Sequence, residues 1–212
     1  MNTETKKVQK TLLEQIHDSG IEYKYLLTID YPYKQTNYNN VILDNKHLRK
    51  TIRKFYKSDI HMMFFIEKYT DPASNHFGGY HRHVLLQDAP RSRWLEPTGG
   101  MQSFLLNIAP EQVFNARMGN EPPEEVKAKL LKTMVRKLFH SAPNGFAGTD
   151  VQVIKPERGG IEGAVGYCTK QCNMFHPSYE VVDPTSSDID ARPLLELHHA
   201  RINSDGYEAV SC

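Results

Sequence analysis

The spacing of apolar positions changes several times along the chain, and each change marks an element. The run "VQKTLLEQIHDSG" (8–20) has the period of a short amphipathic helix closed by Gly20, and "IEYKYLLTIDYP" (21–32) reads as a strand ended by Pro32. In "NKHLRKTIRKFYKS" (45–58), Leu48, Ile52 and Phe55 follow one another at spacings of four and three, so a helix is predicted. Two strand-like runs, "IHMMFFIEKY" (60–69) and "YHRHVLLQ" (80–87), flank the turn-forming "TDPASNHFGG" and predict an antiparallel hairpin. Residues 91–114 mix periods around two prolines and read as loop with short helices. A clear helix follows in "PPEEVKAKLLKTMVRKLFHSA" (122–142), with Pro and acidic residues at its start and Lys and His toward its end, as the helix dipole favours. "TDVQVIKP" (149–156) is a strand, and "GGIEGAVGYCTKQCNMF" (159–175) a helix despite its glycines. From His176 onward the chain is polar, contains proline and is expected to pack loosely.

This order predicts the α+β class: an antiparallel-rich sheet with helices on it. It divides the chain into an N-terminal helix (1–20), a main domain (21–175) and an acidic, polar C-terminal tail (176–212). No internal repeat interrupts the division.

Composition adds two constraints. No stretch approaches the roughly 18 apolar residues of a membrane span, and the N-terminus is too polar for a secretory signal, so a soluble, cytoplasmic protein without membrane partners is expected. Cys168, Cys172 and Cys212 are too few and too late for a disulfide framework, which fits a reducing compartment. The net charge of +1 hides an uneven distribution, +6 over residues 1–172 and −5 over 173–212. A basic body favours a polyanionic partner. Six of its cations, Lys46, Arg49, Lys50, Arg53, Lys54 and Lys57, cover the outer face of the 45–58 helix, where they would serve either as a solvated face or as phosphate contacts.

The predicted hairpin carries polar groups that a purely structural hairpin would avoid, since buried imidazoles and carboxylates are costly unless they are hydrogen-bonded or bound to something. Side chains at i and i+2 of a strand share a face, so His81 and His83 project together while Arg82 points away. An antiparallel partner can present Glu67 on that same face. Two imidazoles and a carboxylate make a three-ligand metal site with open positions. Mixed nitrogen and oxygen donors suit Mn²⁺ or Mg²⁺ in a phosphate-handling site, while residue type alone leaves zinc and iron open. His61 and His76 read as ordinary strand and loop residues. The Cys168, Cys172, His176 series lacks a fourth ligand and a CxxC.

Further on, "GAVGYCTKQC" places Tyr167, Lys170 and Gln171 on one helical face. Together with Glu67 and the HxH pair, the set resembles the HUH endonucleases, in particular the single-tyrosine replication initiators of rolling-circle replicons. "YLLTIDYP" is similar to that family's first motif, "YHRHVLL" to its metal-binding second motif, and "YCTK" to its Tyr-x-x-Lys third motif, in the family's order and over residues 25–172. The resemblance leaves the first helix and the tail unaccounted for. Arg82 departs from the family, which carries a bulky apolar residue there, and its stem is expected to snorkel to the sheet edge.

The resemblance implies a ferredoxin-like, HUH-type sheet and a site-specific nickase acting on single-stranded or hairpin origin DNA. Tyr167 would attack a phosphodiester, leaving a 5′-phosphotyrosine link and a free 3′-hydroxyl for a host polymerase. His81, His83 and Glu67 would hold the divalent metal, and Lys170 would neutralise developing charge. Gln171 is a further possible ligand, because single-tyrosine transposases of the superfamily use a glutamine one turn after the tyrosine. No GxxxxGK occurs, so a helicase would be supplied in trans. Alternatives are an HUH transposase or relaxase, a two-His-one-carboxylate oxygenase, and a non-enzymatic DNA-binding repressor.

Overall fold

Strand side chains alternate between two faces, and here both faces are apolar, so the sheet must be covered twice. A computed structural model describes residues 3–139, 148–170, 181–190 and 192–197. In chain order it contains α1 (Thr3–Ser19), β1 (Tyr23–Asp30), α2 (Tyr38–Tyr56), β2 (Met62–Lys68), β3 (Tyr80–Gln87), three short helices α3 (Arg91–Leu95), α4 (Gly100–Ile108) and α5 (Pro110–Arg117), then α6 (Glu124–Phe139), β4 (Gly148–Val153) and α7 (Gly160–Cys168). The strands form one sheet in the order β2-β3-β1-β4 with every neighbouring pair antiparallel. The fold is therefore α+β, as the sequence predicts. With α2 and α6 as its connections, the β1-α2-β2-β3-α6-β4 succession has the ferredoxin-like arrangement.

One face, carrying Leu27, Ile29, Phe64, Ile66 and Val84, packs against Leu48 and Ile52 of α2 and Leu130 and Met134 of α6. Leu26, Met63, Phe65 and Leu85 on the other face pack against Val8 and Leu12 of α1 and Val165 and Cys168 of α7. Each such side chain contributes about 1.5–3 kcal/mol on burial, so the apolar stripe of α2 is what seats it on the sheet. That helix begins earlier than its periodicity suggests: the Asn37 side chain accepts from the Asn40 N–H at 3.3 Å and caps a first turn built from asparagines. Among the described residues, no helix is long and apolar enough to cross a membrane.

Arg82 does not snorkel. It is fully buried on the α2 side of the sheet, its Nη1 donates to Asn45 Oδ1 at 3.1 Å, and its guanidinium lies 4.7 Å from the Tyr31 ring centroid. Asn45 in turn donates through Nδ2 to Asp183 Oδ2 at 2.9 Å. The buried cation and the buried carboxylate thus communicate through one amide, whose two ends match a donor on one side and an acceptor on the other.

Asp183 opens a segment that departs from the loose packing expected of the tail. Val181, Val182, Asp183 and Ser186 are buried, and the segment runs along the outer edge of β2. The Asp183 and Asp188 N–H groups donate to the carbonyls of Phe64 and Met62 at 3.0 and 2.8 Å. In return, the Phe64 N–H donates to Ser187 Oγ at 2.8 Å and the Met62 N–H to Asp188 Oδ2 at 2.9 Å. Polar side chains here complete a strand edge that would otherwise hold unsatisfied backbone groups. Arg49 and Arg53 of α2 clasp the same Asp188 carboxylate.

Replacing Asp183 with Ala removes the acceptor for Asn45, Thr185 and Ser186 in a site without solvent. The expected loss is about 3 kcal/mol, or roughly 6–12 °C in Tm for a domain of this size. Asp183→Asn, which keeps one acceptor oxygen, recovers part of it. A melting curve for Asp183→Ala that overlays wild type would refute this role.

Candidate active site

The register of the hairpin decides where the polar groups fall. Glu67 pairs with His81 and Phe65 with His83, so all three predicted ligands lie on the face covered by α1 and α7. Glu67 Oε2 is 3.3 Å from His81 Nε2 and 3.3 Å from His83 Nε2. One donor atom from each residue lies within 4.8 Å of the other two, and this is the metal-type cluster found among the described residues. The imidazole planes stand at 90° with centroids 5.0 Å apart.

The electrostatics suit a cation. Burial pushes the Glu67 carboxyl up, but hydrogen bonds from His81 and His83 and the charges of His83 and Lys170 outweigh it and hold the group at about 2, so it is ionised at neutral pH. Burial lowers His83 below the ordinary imidazole value against the pull of Glu67, which favours the neutral ring that ligates metals. Glu67 Oε1 and His81 Nδ1 are buried without a hydrogen-bond partner among the described residues, a cost that further coordination or hydrogen bonding would relieve. A buried carboxylate and two convergent Nε2 atoms could hold a metal ion.

Thr28 of β1 completes the arrangement, and sequence reading gave it no role beyond membership of a motif. Its Oγ1 lies 2.9 Å from His83 Nδ1. A metal at Nε2 would place the ring proton on Nδ1, where the threonine oxygen would accept it and hold the ring plane. The available signal was a lone hydroxyl residue inside the apolar run "YLLTI". Tyr69 supports the other ligand, with its ring 4.5 Å from that of His81 and its hydroxyl bonded to Asp30.

α7 brings the tyrosine. Gly159 and Gly160 take positive φ values of 85° and 57° at its start, and a Cβ on Gly163 would meet the Arg158 carbonyl at 2.8 Å. The glycines therefore let the helix sit tightly on the single 3-10 turn Pro156–Arg158 before it. α1 fixes the far end: Gln9 Nε2 donates to Thr169 Oγ1 at 3.0 Å, and Thr169 donates to the Val165 carbonyl at 2.7 Å. Tyr167, half exposed, lies with its ring 5.0 Å from His83. Lys170, just past the helix end, places Nζ 3.8 Å from the Tyr167 ring centroid and 3.1 Å from Glu67 Oε2.

The structure thus gathers Glu67, His81, His83, Tyr167 and Lys170. Gln171, Cys172 and His176 lie outside the described residues. Cys168 is a core residue, buried among apolar neighbours. His61 precedes β2 and His76 sits in the hairpin loop, both outside the cluster. The six cations of α2 are not brought to the site, because that helix covers the opposite face of the sheet. Arg49 and Arg53 are engaged by Asp188, whereas Lys46, Lys50, Lys54 and Lys57 remain exposed.

Comparison with family models, curated proteins and solved structures gave no match to this chain.

Titration with Mn²⁺ by calorimetry should give one tight equivalent, lost in His83→Ala and in Glu67→Ala. Thr28→Val, which keeps shape and removes the acceptor, should weaken binding about 10–100-fold. Unchanged Mn²⁺ affinity in His83→Ala would eliminate this centre.

Proposed function

We propose that the protein is a metal-dependent endonuclease and strand transferase that nicks single-stranded DNA through a covalent tyrosine link, acting at a replication origin. The observation that carries this reading is the meeting of a half-exposed tyrosine with the buried Glu67-His81-His83 cluster, bridged by Lys170. A divalent ion held by those three residues, Mn²⁺ or Mg²⁺, would polarise a non-bridging oxygen of the scissile phosphate.

The chain's own groups supply the rest. Tyr167 Oη forms the new P–O bond, its proton passes to solvent, and the 3′ oxygen departs with the bonding pair and is protonated to a hydroxyl. One phosphodiester is exchanged for another, so the step is reversible and the same site can rejoin strands. Lys170 holds a fixed positive charge beside the nucleophile and offsets charge developing on the phosphate. Glu67 keeps that ammonium in place at 3.1 Å. Strand separation is left to a helicase in trans and extension to a host polymerase. A two-His-one-carboxylate oxygenase would use the same ligands, but it gives no role to Tyr167 and Lys170. A repressor would leave all five residues idle.

Incubation with labelled single-stranded oligonucleotides and Mn²⁺, followed by denaturing gels, should show a protein-linked fragment downstream of the nick. Tyr167→Phe, which removes one oxygen atom, should form no adduct and still bind the strand. Lys170→Met should slow adduct formation about 10²–10³-fold. EDTA should stop it. An undiminished adduct from Tyr167→Phe moves the nucleophile elsewhere, and no adduct from wild type on any strand returns the protein to the oxygenase or repressor readings.

A further inference from the structure

Beside Tyr167, on the side away from β2 and β3, part of the sheet lies open. A cavity of about 340 Å³ sits there between β1, β4 and the start of α7. Leu26 and Thr28 line it from the sheet, Gly163 and Ala164 from the helix, and Tyr167 lies on its metal-cluster side, since that ring is the one packed against His83. A second, shallower depression of about 520 Å³ shares Gln152, Val153, Lys155 and Arg158 with the first and continues around the β4 edge to α6. The two form one groove that starts at the nucleophile.

The groove has the chemistry of a nucleotide track. Its volume near Tyr167 is in the range that holds one small ligand. Leu26, Ala164 and the tyrosine ring offer apolar contact against which a planar base can lie. Arg158 stands at the shared rim, exposed and with no partner among the described residues. Lys155, also on the rim, meets Glu125 at 3.1 Å in a surface pair that a phosphate can displace. Asp150, the nearby acid, is already neutralised by Lys132 at 2.9 Å.

We infer that this groove binds the single strand immediately to one side of the scissile phosphate, with a base in the cavity against Tyr167 and the adjoining phosphates on Arg158 and Lys155. The inference rests on the nuclease reading and extends it, since it assigns strand contact to the face that carries the metal cluster and away from the cationic surface of α2.

The test uses the full chain with Tyr167→Phe, an oligonucleotide whose nick position wild-type adduct formation has defined, and the two half-oligonucleotides ending at that nick, all fluorescein-labelled for anisotropy. Lys155→Ala/Arg158→Ala and Arg158→Glu should each weaken the intact strand about tenfold or more. They should weaken one half equally and leave the other at the parent's affinity. The slope of log affinity against log salt should become shallower by about 0.7 per lost phosphate contact. Melting temperature and Mn²⁺ affinity should stay at the parent's values. Parent-like binding of all three strands, or equal losses on both halves, overturns the groove assignment while wild-type adduct formation keeps the nuclease reading. Wild type that forms no adduct and binds no oligonucleotide ends both.

Discussion

The pairing of β2 with β3 fixes which polar side chains meet, because side-chain direction in a strand has a period of two. With Glu67 opposite His81 and Phe65 opposite His83, three ligands meet on one face and Arg82 alone goes to the other. A slip of one residue in β2 would send Glu67 to the α2 side and bring Phe64 and Ile66 toward the imidazoles. Both faces are covered, so such a slip would displace apolar residues from two cores at once. The register is held by packing, and the ligand geometry follows from it.

The proposed nucleophile, Tyr167, is brought to that face by α7, and here the first helix matters. α1 supplies Val8, Leu12 and Ile16 to the core that also contains Ala164, Val165 and Cys168 of α7. Its Gln9 ties down the turn after Tyr167. The first helix, which lies outside the span of the three motifs, is thereby part of the platform on which the tyrosine stands. Between α7 and the hairpin, Lys170 links the two halves of the site through Glu67.

Much of this was legible in the sequence, for local reasons. An HxH in an apolar run after a turn-rich loop announces its own face. The shared helical face read for Tyr167 and Lys170 does not hold, because α7 ends at Cys168 and Lys170 reaches Glu67 from the turn beyond it. What was hidden depends on distant partners. The burial of Arg82 rests on Asn45, 37 residues away, and through it on Asp183, a further 138 residues from that asparagine. The earlier start of α2 depends on Asn37 acting as a cap in an asparagine-rich stretch that equally suits a loop. Charge counting revealed the cations of α2 but not which side of the sheet the helix would cover. The polar 181–190 segment reads as solvent-loving because sequence does not tell that Ser187 and Asp188 answer the N–H groups of the edge strand β2.

That last segment bears on how the molecule avoids its own kind. A bare β2 edge, rich in Met, Phe and Ile, would be a template for another copy's strand, and edge-to-edge growth of sheets is the usual route from such an edge to aggregates. Covering it with a strand would only move the problem outward by one position. A short stretch that answers the edge N–H groups with one carboxylate and one hydroxyl, locked to α2 by Asp188, ends the ladder without offering a new one. The practical domain boundary therefore falls beyond residue 190. Shortened versions cut just after Lys170 would keep the Glu67-His81-His83 cluster and Tyr167 yet lose the cover of this edge.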